Sequence, residues 1–345
     1  MGEWRSSAYR TRVCAAVRLA DGRRDSRRHP RRHGAKDGAV AMRNLSETPL
    51  VTVVIPTYRR ANKLPRAIDS VLGQTYRNIE VLIANDNVPG SPEDEATKRR
   101  LACYVADGRL REVETGGKTG GGAARNVACR QACGEWLAFL DDDDEFLPDK
   151  IETQVVFTME NDLDMSWQDV AWYNEEGKLV EHRYLNHCKD FSRDGLLRAH
   201  LLTPICPTSI YLLKKELFDR IEGFGEVATG QDWWLMLRCI EAGARIGYMP
   251  EVHVHQYLHK GERLSLGQNK IEGEMARHEA AKVFYSRLSK RDIRFVEFRH
   301  NAVLAFACLR SGMLLKSMGY GVRAFATSPG ACFAKGLEFF TRGKR

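Results

Sequence analysis

Between residues 50 and 140 the chain alternates short apolar runs with stretches of helical periodicity, and few architectures accept that alternation. VTVVI (51–55) is continuous and β-branched, the pattern of a strand buried on both faces. Pro56 ends it, and NKLPRAIDSVLGQ follows with Leu64, Ile68, Val71 and Leu72 on one helical face. IEVLIA (79–84) reads as a second strand, 92–106 as a helix, RLREVE (109–114) as a short third strand and WLAFL (136–140) as a fourth. Between the last two, GGKTGGG (116–122) leads into the helical segment AARNVACRQAC. The expected fold is therefore α/β, a Rossmann-like, mostly parallel open sheet flanked by helices. Such sheets bind ligands beyond the carboxyl ends of their strands. Two polar clusters fall there: Asn85-Asp86-Asn87 after the second strand, and Asp141 to Asp144 after the fourth.

The net charge of +8 suggests an anionic partner until it is located. Residues 1–41 hold ten Arg and one Lys against Glu3, Asp21, Asp25 and Asp37, eleven cations less four acids, or +7. The remainder is close to neutral, which argues against nucleic acid as partner of the folded body. The arm has no apolar periodicity and reads as disordered. It is either a tail for nucleic acid or anionic lipid, or sequence upstream of a start at Met42; its four acids argue against a transit peptide. Nine scattered cysteines and the lack of a visible signal peptide point to reduced thiols and a cytoplasmic setting. After about residue 165 the pattern loosens, with an amphipathic helix near 231–242, and 266–345 reads as a helical C-terminal extension to a domain over 50–265. There Leu304, Leu309, Leu314 and Phe325 interleave with Arg310, Lys316, Arg323 and Lys335. That pattern fits either a cap packed on the domain or a helix lying on an anionic membrane. AVLAFACL (302–309) is too short to span a bilayer.

GGKTGGG is not a phosphate loop, because Glu112 stands where the first glycine is needed; nor does it give GxGxxG, whose third glycine would be Arg125. FLDDDDEFLPDK (139–150) is more specific. Four successive carboxylates at a strand end repel one another unless a cation lies among them. Hard divalent cations held by one or two carboxylates usually also hold substrate phosphates, so a Mg²⁺ or Mn²⁺ diphosphate site is expected.

The segment from VTVVIPTYRR to VLIANDN, followed by GGAARNVACRQACGEWLAFLDDDDEFLPDKI, resembles the family 2 glycosyltransferases of the GT-A fold. A weaker match, GFGEVATGQDWWLMLRC through HQYLHKGERLS, extends the likeness to about residue 265. The resemblance implies that Pro56, Thr57 and Tyr58 form the nucleotide-binding first loop and that Asp86 reads uracil, with Asn85 replacing a carboxylate the family usually has. It implies donor contacts from Arg125 and Asn126, though a salt bridge on the helix surface is an equal use for Arg125. The Asp-x-Asp motif falls on Asp141 and Asp143: Asp143 would ligate the metal, and Asp141 or Asp142 would touch ribose or donor sugar. Gly230-Gln231-Asp232 matches the Glu-Asp dyad, with Asp232 as catalytic base; Trp233 and Trp234 would meet acceptor sugar, at least one of them being core. Of His253, His255 and His259, the last fits best a histidine that completes the metal site.

The implied activity is inverting, metal-assisted transfer from a nucleotide-sugar to a glycan or lipid-linked acceptor in bacterial surface polysaccharide synthesis. A peripheral seat on the inner membrane face goes with it. A nucleotidyltransferase of similar topology, or a scaffold with a dead site suggested by Asn85 and Gln231, are the alternatives.

Overall fold

In the computed structural model, residues 48–104, 108–225, 227, 229–258 and 267–333 are described. The basic arm with Met42, His259 and Lys335 lie outside them. The described residues divide into two units, the first over 48–104, 108–186, 206–225 and 235–258, the second over 187–205, 227, 229–234 and 267–333.

The first unit is built on one nine-stranded sheet. Strands β1 (Val51–Thr57), β2 (Ile79–Asn85), β3 (Leu110–Glu114) and β4 (Trp136–Phe139) run parallel in the order β3-β2-β1-β4. Val51, Val53, Val54 and Ile55 are fully buried, as a continuous β-branched run requires. Helix α1 (Leu64–Leu72) buries Leu64, Ala67, Ile68 and Val71, and its second residue is a proline whose fixed φ suits a helix start. Helix α2 (Pro92–Leu101) is capped by Ser91, whose hydroxyl accepts the Asp94 N–H at 3.2 Å. Helix α3 (Gly121–Arg130) follows the glycine-rich loop and buries Ala124, Ala128 and Cys129.

Beyond β4 the sheet is mixed. Strand β5 (Glu145–Phe146), helix α4 (Lys150–Glu160), β6 (Met165–Asn174), β7 (Leu179–Arg183), β8 (Tyr211–Lys214) and β9 (Ile246–Leu258) complete it. β8 is antiparallel to both β4 and β6, β7 to β6 and β5 to β9, while β6 and β9 are parallel. The parallel half is the half whose strands read clearly from sequence.

The second unit contains helices α5 (Arg193–Leu202), α8 (Gly267–Lys282), α9 (Lys290–Arg310) and α10 (Leu314–Thr327). Ser289 caps α9 through the Asp292 N–H at 3.1 Å, and Arg198 clamps Asp292 with bonds of 2.9 and 2.7 Å. A small core of Ile271, Leu304, Ala307 and Cys308 joins α8 to α9, with Met313 and Tyr320 packed on it. Two further helices, α6 (Lys215–Arg220) in the first unit and α7 (Gln231–Glu241), complete the set used below.

Candidate active site

The carboxyl ends of β1, β2 and β4 bring the predicted donor-side residues together. Thr57 ends β1 buried, and its hydroxyl donates to Asp142 Oδ2 at 2.8 Å. Tyr58 follows with its ring exposed. Arg60 reaches back to the acidic run, donating to Asp143 Oδ2 at 2.6 Å and Asp142 Oδ1 at 3.3 Å. Arg66, on α1, donates to the Asp143 carbonyl and stacks its guanidinium 3.7 Å from the Tyr257 ring centre.

The four aspartates have different surroundings. Asp141 is half-exposed and pairs with Arg125, itself buried against the Phe224 ring. Asp142 is buried, and burial together with the neighbouring Asp143 carboxylate pushes its pKa up to about 7, against the pull of Arg60 and Thr57. Asp144 is buried and also lies well above the usual carboxylate range, through burial and the charges of Asp141 and Asp143. It accepts from Gln256 Nε2 at 2.9 Å and the Tyr257 N–H at 3.0 Å. Four carboxyls thus share this edge with the guanidiniums of Arg60, Arg66 and Arg125. Among the described residues no three His, Cys, Asp or Glu side chains gather into a metal-ligand set.

Asp86 does something its motif does not announce. Its buried carboxylate accepts four bonds from one loop: Thr115 Oγ1 at 2.6 Å, Thr119 Oγ1 at 2.7 Å, the Thr119 N–H at 2.9 Å and the Gly120 N–H at 2.9 Å. Three of these fall on Oδ1 and one on Oδ2, which keeps an acceptor position open. The glycine-rich segment is therefore an anchored loop, entering α3 through Gly120 at φ +88°. Asn85 is equally committed. Its amide donates to Asp94 Oδ1 at 2.7 Å and Glu112 Oε1 at 2.5 Å, and its oxygen accepts from the Asn87 side chain at 2.8 Å. An aspartate here would face two carboxylates.

Asn126 brackets the Phe224 backbone, donating to its carbonyl at 2.8 Å and accepting its N–H at 2.9 Å. His253 has carboxylates on both ring nitrogens, Asp149 at 2.9 Å and Glu251 at 2.8 Å; His255 meets Glu145 at 3.0 Å. His259 lies outside the described residues.

Asp232, Trp233 and Trp234 open α7 and belong to the second unit. Asp232 Oδ1 accepts the Trp233 N–H at 2.8 Å. Both indoles are buried: they meet edge to face at 4.9 Å, and Trp233 stacks on His200 at 5.3 Å. Stacking on an acceptor sugar would require an indole to leave this packing. Spacing did not single out Arg60, Arg66, Thr115 or Thr119; the one signal for the first is the cationic Arg59-Arg60 pair directly after Tyr58 on the loop that faces the acidic run.

Comparison with known proteins bears on this arrangement. A family model described as glycosyl transferase family 2 matches residues 52–221. An uncharacterized glycosyltransferase of Rickettsia prowazekii is 37% identical over 234 residues, covering 65% of this chain and 69% of its own. One from Rickettsia felis is 40% identical over 131 residues, 38% of this chain; the chain spans only 21% of that relative's length. The Escherichia coli UDP-Glc:alpha-D-GlcNAc-diphosphoundecaprenol beta-1,3-glucosyltransferase WfgD is 27% identical over 150 residues, 43% of this chain and 57% of its own. Among solved structures, Staphylococcus aureus TarS 1–349 in complex with UDP-GlcNAc matches with a TM-score of 0.52 at 19% identity, covering 82% of this chain and 75% of that one. The Pyrobaculum calidifontis mannosyltransferase PcManGT, in complex with GDP-Man and Mn²⁺, matches with a TM-score of 0.51 at 20% identity, covering 85% and 81%. At these identities the likeness to the two solved structures is one of fold.

Proposed function

Because the chain belongs to glycosyl transferase family 2, we propose that it moves a sugar, with inversion, from a nucleotide-sugar to a hydroxyl of a glycan or lipid-linked acceptor in bacterial surface polysaccharide synthesis. The observation that carries the reading is the crowded acidic edge, where Asp141 to Asp144 meet Thr57, Arg60 and Arg125 and two carboxyls are held above their ordinary range. Four carboxyls crowded at one edge suit a ligand that brings positive charge with it, and carboxylate oxygens suit a hard divalent ion. Asp143, with His259, is the residue to hold Mg²⁺ or Mn²⁺, the diphosphate supplying further ligands. A bound divalent ion would offset charge on the departing nucleoside diphosphate.

The chain's own residues do the rest. Tyr58 offers an exposed ring face to a base. Pro56 and Thr57 form the floor beneath the nucleotide. Asp86 holds the 115–120 loop in the shape the donor meets, and Arg125 fixes Asp141 for a ribose or sugar hydroxyl. Asn126 keeps that part of α3 against the Phe224 backbone. Asp232 takes the acceptor proton as the hydroxyl attacks the anomeric carbon, a role resting on its motif. WfgD is named for UDP-Glc and TarS was solved with UDP-GlcNAc, which supports a UDP-sugar; the GDP-Man of PcManGT makes the base a matter for titration.

The test is calorimetric titration of UDP into the full chain with and without Mn²⁺, beside Asp143→Ala and Asp232→Asn. Metal-dependent binding should be lost in Asp143→Ala and kept in Asp232→Asn, whose turnover with a cognate donor falls about 10²- to 10⁴-fold. Silence towards UDP, GDP, CDP and dTDP alike would favour the scaffold reading instead.

A further inference from the structure

Helix α10 is apolar on two sides, and only one of them is covered. Its inner side, through Tyr320 with Met313 just ahead of the helix, packs on Ile271, Leu304, Ala307 and Cys308, and Ala324 is buried. Ser317 Oγ ties the same side down by donating to the Ala305 carbonyl at 2.9 Å. At about 100° per residue, Leu314, Leu315, Met318, Val322 and Phe325 fall within an arc of about 100° on the other side. All five are exposed, Leu315 at 86% and Val322 at 68%. Phe306 and Leu309, at the end of α9, are exposed too, and Phe333 meets Phe325 ring to ring at 6.0 Å. Leu304 belongs instead to the core beneath, so the sequence pattern's apolar positions serve two different faces.

The charge around this face has one sign. From 298 to 337 the sequence has no Asp or Glu, while Arg310, Lys316 and Arg323 are exposed; on α10 Lys316 and Arg323 lie about 80–100° past the edge of the apolar arc, on its polar side. Lys316 and Arg323 are seven residues apart and share one flank of α10. A two-fold contact between copies would set these cations against the same unbalanced surface on the partner. A nucleic acid would use the cations and leave the apolar arc in water. A surface of anionic headgroups over acyl chains satisfies both, and among the described residues no helix is long and apolar enough to cross a membrane. We propose that the outer face of α10, with the end of α9, lies on an anionic lipid surface, its apolar arc in the headgroup–acyl boundary and Arg310, Lys316 and Arg323 among the headgroups. The inference uses this helical surface alone and stands apart from the donor site.

The experiment is co-sedimentation of the full chain with vesicles of phosphatidylcholine containing one-third phosphatidylglycerol, beside vesicles of phosphatidylcholine alone. The chain should bind the anionic vesicles at least tenfold more tightly, and the preference should shrink as salt rises. Leu315→Ser, Met318→Ser and Val322→Ser combined should cut binding at least tenfold with an unchanged melting temperature, since all three side chains are exposed. Lys316→Gln with Arg323→Gln should cost roughly 5-fold per cation and flatten the salt dependence. No binding to anionic vesicles, or equal binding by the triple serine variant, overturns the proposal. So does a concentration-dependent dimer that the same variant turns into a monomer, which would make a second copy the occupant.

Discussion

Replacing Asn85 with aspartate inserts a carboxylate where the structure already has two. The wild-type amide donates at 2.7 Å to Asp94 and at 2.5 Å to Glu112. Each bond to a charged acceptor is worth about 1.5–3 kcal/mol, so an ionised aspartate at position 85 forfeits about 3–6 kcal/mol before any repulsion is counted. The cluster's escape is to take up a proton. Against an ordinary aspartate pKa of about 3.9, that costs about 5 kcal/mol at pH 7.5 and about 2 kcal/mol at pH 5.5, from 1.36 kcal/mol per unit. One proton restores one of the two bonds. The native pKa is raised, so the folded state binds the proton that the unfolded chain has released, and stability falls as pH rises above about 4. Asn85→Asp should therefore lie about 6–8 kcal/mol below wild type at pH 7.5, the proton together with the bond not restored, a gap that narrows by about 3 kcal/mol at pH 5.5. Urea unfolding followed by tryptophan fluorescence reads both numbers. Asn85→Ala, which removes the donors without adding charge, should show a deficit that does not narrow. A deficit below about 1 kcal/mol for Asn85→Asp at pH 7.5, or one indifferent to acid, would refute the reasoning.

Two further perturbations address each unit separately. His200 is fully buried, accepting the Ile205 N–H at 3.1 Å and donating to the Trp233 carbonyl at 3.0 Å, and burial pushes its pKa down to about 3. The unfolded chain binds this proton first, near pH 6.5, so the contribution is complete above that value and is lost as pH falls towards 3. His200→Gln should thus lose about 2 kcal/mol less than wild type between pH 7.5 and 5, read as paired urea midpoints. Gly134 leaves no room for a methyl: a Cβ there would lie 2.5 Å from Thr52 Oγ1, 2.6 Å from the Thr52 nitrogen and 2.9 Å from the Leu50 carbonyl. Strand backbone cannot yield as a flexible side chain does, so Gly134→Ala should destabilise by about 1–3 kcal/mol and lower the melting temperature by several degrees.

The parallel half of the sheet was readable because its strands are buried on both faces and so are apolar throughout; Val53 and Val81 needed no alternation to be recognised. The second half hides its strands. β9 carries Pro250 in mid-run, a residue that argues against a strand, and the structure accommodates it by a register shift: Gln168 pairs with Met249 but Asp169 with Val252, leaving Pro250 and Glu251 outside the ladder. β7 leaves Leu179 and Val180 exposed and so lacks a core face to read. At the site, the acidic run announced itself because four adjacent charges are improbable in a turn that follows a buried strand. Its partners did not, because Arg60 meets Asp143 across 83 positions and Thr119 meets Asp86 across 33, and no local spacing encodes which loop supplies a donor.

Asn126 and Phe224 are 98 positions apart, yet each completes the other's hydrogen bonds, and the Phe224 ring lies 5.6 Å from the Arg125 guanidinium. This gives the edge an order of assembly. A chain emerging from synthesis as far as Ile221, where the family match ends, already holds every one of Asp86, Arg125 and Asp141 to Asp144. It lacks the backbone against which α3 is bracketed. Closing so long a loop is slow compared with folding a helix or turn. The acidic run and the bonds of Arg125 to Gly121 and Asp141 can be made early, but the bracket on α3 closes only when the chain returns, three residues after that match has ended.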